Sequence, residues 1–265
     1  MDTAFIIGNG ESRNIFPIET LKGHGPIYGC NAIYRDHPYL CDHVVAVNFP
    51  MYEEIVANVA IANRKIDREN DKNGPINFNL IGPNDISKWD FLCDGDDHSR
   101  DLEPHPLSIY RQWHGGNTKT GKFRTLDFSK SRGSGCSAVL VAAESGVKNV
   151  VILAFDIIGA KQWEYTGTRE GETSREQNNI YKNTLNYPTR MGMKAYLKYE
   201  WLYQLRQIFR KFPNTNFYFM NRKEYISGNG FLPSYFDKEN IKCGTYADLQ
   251  RWISNERDQI KWISF

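Results

Sequence analysis

The chain has 265 residues, and its length and composition exclude several classes of protein. Charged residues make up 24% and aromatic residues 14%, which is typical of a chain that folds around a sizeable core and not of a disordered one. The formal net charge of +2 gives no overall attraction to nucleic acid, and no apolar stretch approaches the roughly 18 residues of a membrane span.

The cysteines indicate a reducing compartment. There are five, an odd number, and none of them has CxxC spacing, which argues against both a disulfide framework and a zinc knuckle. The chain also starts without the basic and apolar regions of a secretory signal. We therefore expect a cytoplasmic protein.

The first 81 residues alternate between strand-like and helix-like patterns. A buried strand is predicted over 4–7, because a continuous apolar run there leads directly into glycines. The remaining elements predicted in this part are a short helix over 16–22, strands over 26–30, 42–47 and 78–81, and a helix from 50 to about 63 with Ile55, Val56, Val59 and Ala60 on one face.

The loop that follows the first predicted strand is a candidate ligand site. Gly8, Asn9 and Gly10 allow a tight backbone turn, and Ser12 is a residue type that caps a following helical turn. Loops of this kind at the carboxyl end of a first parallel strand place N–H groups where a phosphate binds. The alternative is a tight turn without a ligand, because a Gly-x-Gly pattern by itself is a weak signal.

Two long stretches lack a regular apolar period. Residues 82–132 are interpreted as an irregular insertion over the sheet edge, and residues 157–190, which are polar and rich in tyrosine, as a lid over a substrate. We predict no separate domain for either of them.

The rest of the chain repeats the alternation of helices and strands. Glycines and Ser134 precede a helix predicted over 138–144, and Asp156 follows a strand predicted over 149–154. The other predicted elements are a helix over 191–212, a strand over 216–220 and a helix in the tail from 245. The whole pattern predicts a single α/β, Rossmann-like domain over 1–265, with a mostly parallel sheet flanked by helices.

Several short motifs occur in a shared order that resembles a known family. The motifs are Ile-Ile-Gly8-Asn9-Gly10-Glu-Ser12, then 29–34, then 45–50, followed by Ser134-Gly135, 146–153 and Asp156. In this order and spacing the chain resembles the bacterial sialyltransferases of glycosyltransferase family 42. It is also similar to their broader relatives, which include archaeal 6-hydroxymethylpterin pyrophosphokinases and open reading frames of tailed phages.

The resemblance implies a metal-independent glycosyltransferase with a CMP- or UDP-linked sugar as its donor substrate. The expected acceptor is a saccharide or, as an alternative, a modified base in phage DNA, and a homo-oligomer is left open. The nucleotide-sugar-binding residues that the resemblance implies are Gly8, Asn9, Gly10 and Ser12 at the phosphate and ribose, Asn31 and Asn48 at the donor, and Ser134 and Gly135 at the base or its sugar.

Two further residues correspond to catalytic positions of the family. Asp156 falls at its acidic position, and Tyr165 matches a tyrosine that stabilises the leaving phosphate. The sialyltransferases use a lid histidine as general base, whereas this chain has no histidine after His114. The candidates that remain for the base are Asp156, the lid carboxylates Glu164, Glu170 and Glu172, and the insertion histidines His98, His105 and His114.

Two other functions stay open from the sequence. One is a Mg²⁺-dependent pyrophosphokinase-like transferase on the same scaffold, which would need carboxylates near the nucleotide. The other is a non-catalytic nucleotide or nucleic-acid binding module, because basic and aromatic residues cluster between Lys119 and Arg132.

Overall fold

The computed structural model describes residues 2–47, 49–69, 72–81, 133–156, 179–181, 184–185, 196–223, 240–260 and 262. The predicted insertion over 82–132 lies outside these residues, and so does the predicted lid over 157–190, apart from 179–181 and 184–185. The assignment of those two segments therefore stays a prediction.

The described residues form a seven-stranded sheet in which all pairs of strands are parallel. This confirms the predicted α/β, Rossmann-like fold. The strands are β1 Thr3–Ile7, β2 Ile27–Cys30, β3 His43–Val45, β4 Asn79–Ile81, β5 Asn149–Leu153, β6 Asn216–Asn221 and β7 Ile241–Thr245.

The strand order is β4-β3-β2-β1-β5-β6-β7, so the order along the sheet reverses between β1 and β5. Strands β2, β3 and β4 follow one another from β1 to one edge of the sheet, and β5, β6 and β7 follow one another from the other side of β1 to the opposite edge. In open parallel sheets the crevice at such a reversal, outside the carboxyl ends of the strands, is where ligands bind. The loops after β1 and β5 are therefore neighbours at this point.

Both faces of the sheet are covered, which explains why its central strand is apolar throughout. Along β1, Ala4 and Ile6 belong to one buried cluster, whereas Phe5 and Ile7 belong to another. Consecutive side chains of a strand point to opposite faces, so a strand with a core on each side needs a continuous apolar run.

Four α-helices flank the sheet in the described part of the chain. They are α1 Phe49–Glu69, α2 Ser134–Glu144, α3 Tyr196–Lys211 and α4 Tyr246–Ile253. Residues of α2 and α3 contribute to the cluster that holds Ala4 and Ile6, and residues of α1 and α4 contribute to the other. No helix among the described residues has both the length and the apolar character needed to cross a membrane.

The structure corrects several predicted bounds. Helix α2 begins at Ser134 and not at 138, and the short helix predicted over 16–22 is a 3-10 helix over Ile18–Leu21. In α1, Ile55 is buried as predicted, but Val56 is 47% exposed, so the predicted apolar face is wrong at that position. Ala60 is exposed as well.

The first residue of β3 gives a testable pH dependence. The ring of His43 stacks on Tyr28 with centroids 4.4 Å apart, and among the described residues its Nδ1 is buried without a hydrogen-bond partner. Burial lowers the pKa of His43 from the ordinary 6.5, and the nearby Asp42 opposes this effect only in part. The folded state therefore binds fewer protons than the unfolded chain, and stability falls as the pH drops below about 6.5.

We expect His43→Phe, which keeps a stacked ring, to remove this dependence. The stability of the wild type relative to the variant should decrease between pH 7.5 and 5, by no more than about 1.4 kcal/mol per pH unit. Urea unfolding of both proteins across this range measures the difference. A difference in stability between the two proteins that does not change with pH would contradict the lowered pKa of His43.

Candidate functional site

The loops after β1 and β5 pack tightly against each other at the reversal of strand order. The N–H of Gly8 donates to the carbonyl of Leu153, and the N–H of Gly10 donates to that of Ala154, both at 2.9 Å. A Cβ on Gly8 would lie 2.4 Å from the Ala154 carbonyl oxygen, and one on Gly10 would lie 2.4 Å from Cγ of Asp156. The structure thus explains both glycines without a ligand, and their predicted contact with a phosphate stays a prediction.

Asp156, which follows β5, accepts hydrogen bonds from Ser12, in the segment after β1, and from Asn221, the last residue of β6. Its Oδ2 accepts the N–H of Ser12 at 2.8 Å, and its Oδ1 accepts the hydroxyl of Ser12 and, at 3.1 Å, the amide of Asn221. The hydroxyl of Ser12 also lies 2.8 Å from that of Tyr246, the first residue of α4. The carboxylate therefore joins the ends of β1, β5 and β6, and Ser12 joins them to α4.

The surroundings of Asp156 act on its pKa in two opposite directions. Burial raises the pKa of Asp156 above its usual range, whereas the hydrogen bonds from Ser12 and Asn221 and the charge of Arg222 act in the opposite direction. Burial also raises the pKa of Tyr246. Ser12 is fully buried, so its predicted contact with a ribose or phosphate would require the side chain to become accessible.

A second polar group lies at the ends of β2 and β3. The hydroxyl of Ser134 donates to Oδ1 of Asn31 at 2.7 Å and accepts the N–H of Val47 at 3.3 Å. Asn31 has a φ of 48°, in the left-handed region that asparagine tolerates better than most residues. These contacts bring two of the predicted nucleotide-binding residues, 103 positions apart in the chain, into direct contact.

Ser134 is also the first residue of α2, whose N-terminus therefore lies at this edge of the sheet. The N-cap residue Gly133 has no side chain to cap the helix. The N–H groups of a first helical turn have no partners within the helix, and together with the helix dipole they favour an anion. Gly135 lets this turn approach β5, because a Cβ there would lie 2.8 Å from the ring of Phe155.

Asn9 has a structural role that the sequence did not reveal. Its amide donates to the Cys30 carbonyl at 2.9 Å, and its Oδ1 accepts from the guanidinium of Arg13 at 3.2 Å. Arg13 is only 3% exposed and also donates to the hydroxyl of Tyr181 at 3.0 Å. That hydroxyl in turn donates to Asp36 at 2.7 Å.

The segment that carries Tyr181 lies directly on the loop after β1. Asn179 forms an antiparallel bridge with Gly10, and the N–H of Ile180 donates to the carbonyl of Asn9 at 2.9 Å. This segment falls within 157–190, the range predicted as a lid. Residues 179–181 of that range therefore contact the candidate site.

The remaining predicted residues lie outside the described ranges. These are Asn48, the catalytic candidate Tyr165, and the alternative bases Glu164, Glu170, Glu172, His98, His105 and His114. The basic cluster between 119 and 132 lies outside them as well.

The residues of the site that were not predicted include Arg13, Asn221, Arg222 and Tyr246. A signal existed for two of them, because Asn221 and Arg222 end and follow a strand in the same way that Asp156 follows β5. Arg13 and Tyr246 had no such signal, since an arginine near a loop and a tyrosine at the start of a helix are ordinary surface and core residues.

The described residues include no group of three His, Cys, Asp or Glu side chains that could hold a metal ion. No family model, no curated protein and no solved structure matches the chain.

Proposed function

We propose that the protein is a glycosyltransferase that uses a nucleotide-activated sugar, works without a metal ion and transfers the sugar to an acceptor hydroxyl. The proposal combines the motif resemblance with the position of the polar groups. The observation that carries it is the contact between Asn31 and Ser134 at the N-terminus of α2, beside the reversal of strand order. Asn31 and Ser134 are both positions that the resemblance assigns to the donor.

The chemistry of such a transfer suits this arrangement. The bond between the sugar and the donor phosphate breaks, the acceptor oxygen forms the new bond, and the acceptor proton passes to a base. The nucleotide leaves with negative charge, which N–H groups and a helix N-terminus stabilise when they are already oriented toward it. In this proposal, Asn31 and the first turn of α2 hold the nucleotide.

Asp156 acts in the proposal mainly on the geometry of the loop after β1. Both of its oxygens already accept hydrogen bonds, from Ser12 and from Asn221, so the carboxylate fixes that loop against β5 and β6. Its role as the general base stays a prediction, as do the roles of Tyr165 and of the lid carboxylates.

The test is a thermal-shift panel with CMP, UDP, GDP, ADP, dTDP and the triphosphate ATP, each with and without Mg²⁺, on wild type and Asn31→Gly. Glycine accepts the left-handed backbone at this position and removes only the amide side chain. Asn255→Gly is the matched control, because Asn255 has a φ of 61° and is exposed in the turn after α4. At 100 times its Kd, a nucleotide should add about 2.7 kcal/mol of stability.

We expect one nucleotide class to raise the melting temperature of the wild type and of Asn255→Gly without Mg²⁺. In Asn31→Gly its affinity should fall by about tenfold, which is the loss of one hydrogen bond of about 1.4 kcal/mol. A shift that requires a triphosphate and Mg²⁺ would favour the pyrophosphokinase-like alternative. The absence of a shift with every nucleotide would refute the assignment of the donor site.

A further inference from the structure

Arg222 occupies a fixed position at the carboxyl end of β6. Its backbone N–H donates to Oδ1 of Asn221 at 2.7 Å. Asn221 is fully buried, and its amide nitrogen donates to the Phe155 carbonyl at 3.3 Å and to Asp156 at 3.1 Å. The backbone of Arg222 is therefore connected through Asn221 to the residues that follow β5.

Within the part of the chain that the structure describes, the Nε of Arg222 is buried from solvent and has no hydrogen-bond partner. Asp156 does not supply one, because the described contacts of its oxygens are with Ser12 and Asn221. The positive charge is nevertheless close enough to act against burial on the pKa of both Asp156 and Tyr246. The guanidinium is thus near the candidate site without being neutralised by its carboxylate.

A charged guanidinium whose Nε has no acceptor is suited to bind an anion. Arginine stays charged at all relevant pH values, and its N–H groups form a rigid fork that matches the oxygens of a carboxylate or phosphate. Nearly all buried polar groups in folded proteins are hydrogen-bonded, so a buried N–H without a partner needs an explanation. A ligand oxygen would supply the missing acceptor, and a charge-assisted bond of this kind is about twice as strong as a neutral one.

The position of Arg222 separates it from the proposed nucleotide site. Asn31 and Ser134 lie at the ends of β2 and β3, on one side of β1, whereas Arg222 lies at the end of β6, on the side of β5. The site therefore has polar groups on both sides of the reversal of strand order. A ligand that binds across the crevice would contact both sides.

We propose that Arg222 forms an oxyanion subsite at the carboxyl ends of β5 and β6, which binds a carboxylate or phosphate group of a substrate. The inference rests on the proposed function for the identity of that substrate as the sugar or the acceptor. The subsite itself depends only on Arg222 and the groups that hold it. Its anion is distinct from the donor phosphate expected at α2.

The experiment measures anion binding without any nucleotide. The melting temperatures of wild type, Arg222→Gln and Lys223→Gln are recorded against inorganic phosphate and against acetate, with chloride used to keep the ionic strength constant. Lys223 is the matched control, because it carries the same charge one position further along and is exposed. Arg222→Lys is a second variant, which keeps the charge but loses the fork.

We expect anion concentrations near ten times the Kd to raise the melting temperature of wild type and Lys223→Gln by about 2–4 °C. Arg222→Gln should lose the shift with acetate and show a smaller shift with phosphate, because the proposed donor site at α2 would remain, and Arg222→Lys should need about tenfold more anion. An Arg222-dependent shift that is larger with phosphate than with acetate would identify a tetrahedral group, and the reverse a planar one. The proposal would be overturned if the melting temperature rose equally with anion concentration in wild type and Arg222→Gln. It would also be overturned if Lys223→Gln lost as much of the shift as Arg222→Gln.

The two proposals can fail separately. If the nucleotides shift the melting temperature but anion binding is independent of Arg222, the proposed function stands and the subsite is refuted. If anion binding depends on Arg222 but no nucleotide binds, the subsite stands and the proposed donor site is refuted.

Discussion

Gly10→Ala is expected to lower the free energy of unfolding by about 3 kcal/mol, at the upper end of what one added methyl group costs in a packed site. The new Cβ would lie 2.4 Å from Cγ of Asp156 and 2.6 Å from the Ala154 carbonyl oxygen. Neither can move easily, because Asp156 is held by Ser12 and Asn221, and the carbonyl belongs to the backbone. Ala154 itself already has a positive φ of 57°, so the backbone there has little freedom to adjust.

Gly23→Ala is the control for this prediction. Gly23 has a φ of 85°, and a Cβ there meets nothing within 4 Å, so alanine adds backbone strain but no clash. Its expected cost is about 1 kcal/mol. Guanidinium chloride unfolding measures both variants at pH 7. A loss in Gly10→Ala no larger than that in Gly23→Ala would show that the two loops are not packed as closely as described.

The sequence allowed most of the central sheet to be predicted, because burial on both faces gives continuous apolar runs. β1, β5 and β6 have this pattern, and the alternation of helices and strands predicted that the sheet is mostly parallel, but not that β5 pairs with β1. β7 was missed for the same physical reason. It is an edge strand that contains Lys242 and Gly244, and it presents no continuous apolar run.

The candidate site could be predicted only where a strand rule or the motif resemblance applied. Asp156 was identified because it follows a buried strand, and Asn31 and Ser134 because of the motif resemblance. Their contacts could not be predicted, because side chains 103 residues apart meet only after the strand order is known. The same limit applies to Tyr246, whose hydroxyl meets Ser12 across 234 residues.

The glycines show a different limit of sequence reasoning. A Gly-x-Gly after a strand indicates that something approaches the backbone closely, but it does not say what. At Gly8 and Gly10 the neighbours are the backbone of Ala154 and the carboxylate of Asp156, both from the protein itself. The identity of the approaching group therefore required the structure.

Asp36→Ala is expected to destabilise the protein by about 3 kcal/mol, even though the side chain of Asp36 is 47% exposed. The reason is its partner, because the side chain of Arg13 is only 3% exposed and would keep a buried charge without a carboxylate. The hydrogen bond that the hydroxyl of Tyr181 donates to Asp36 would also be lost. Removing the partner of a buried charge costs far more than the pair contributes, since the remaining charge is not solvated.

Asp2→Ala is the matched control, because Asp2 also pairs with a cation, Lys148, at 3.0 Å. Here both side chains are exposed, 67% for Asp2 and 72% for Lys148, so water replaces the lost partner and little change is expected. Urea unfolding at low and high salt measures both variants, and only the exposed pair should be sensitive to salt. Equal losses would mean that water reaches Arg13. A large loss confined to Asp36→Ala would establish that the buried Arg13 attaches the segment carrying Tyr181 to the loop after β1.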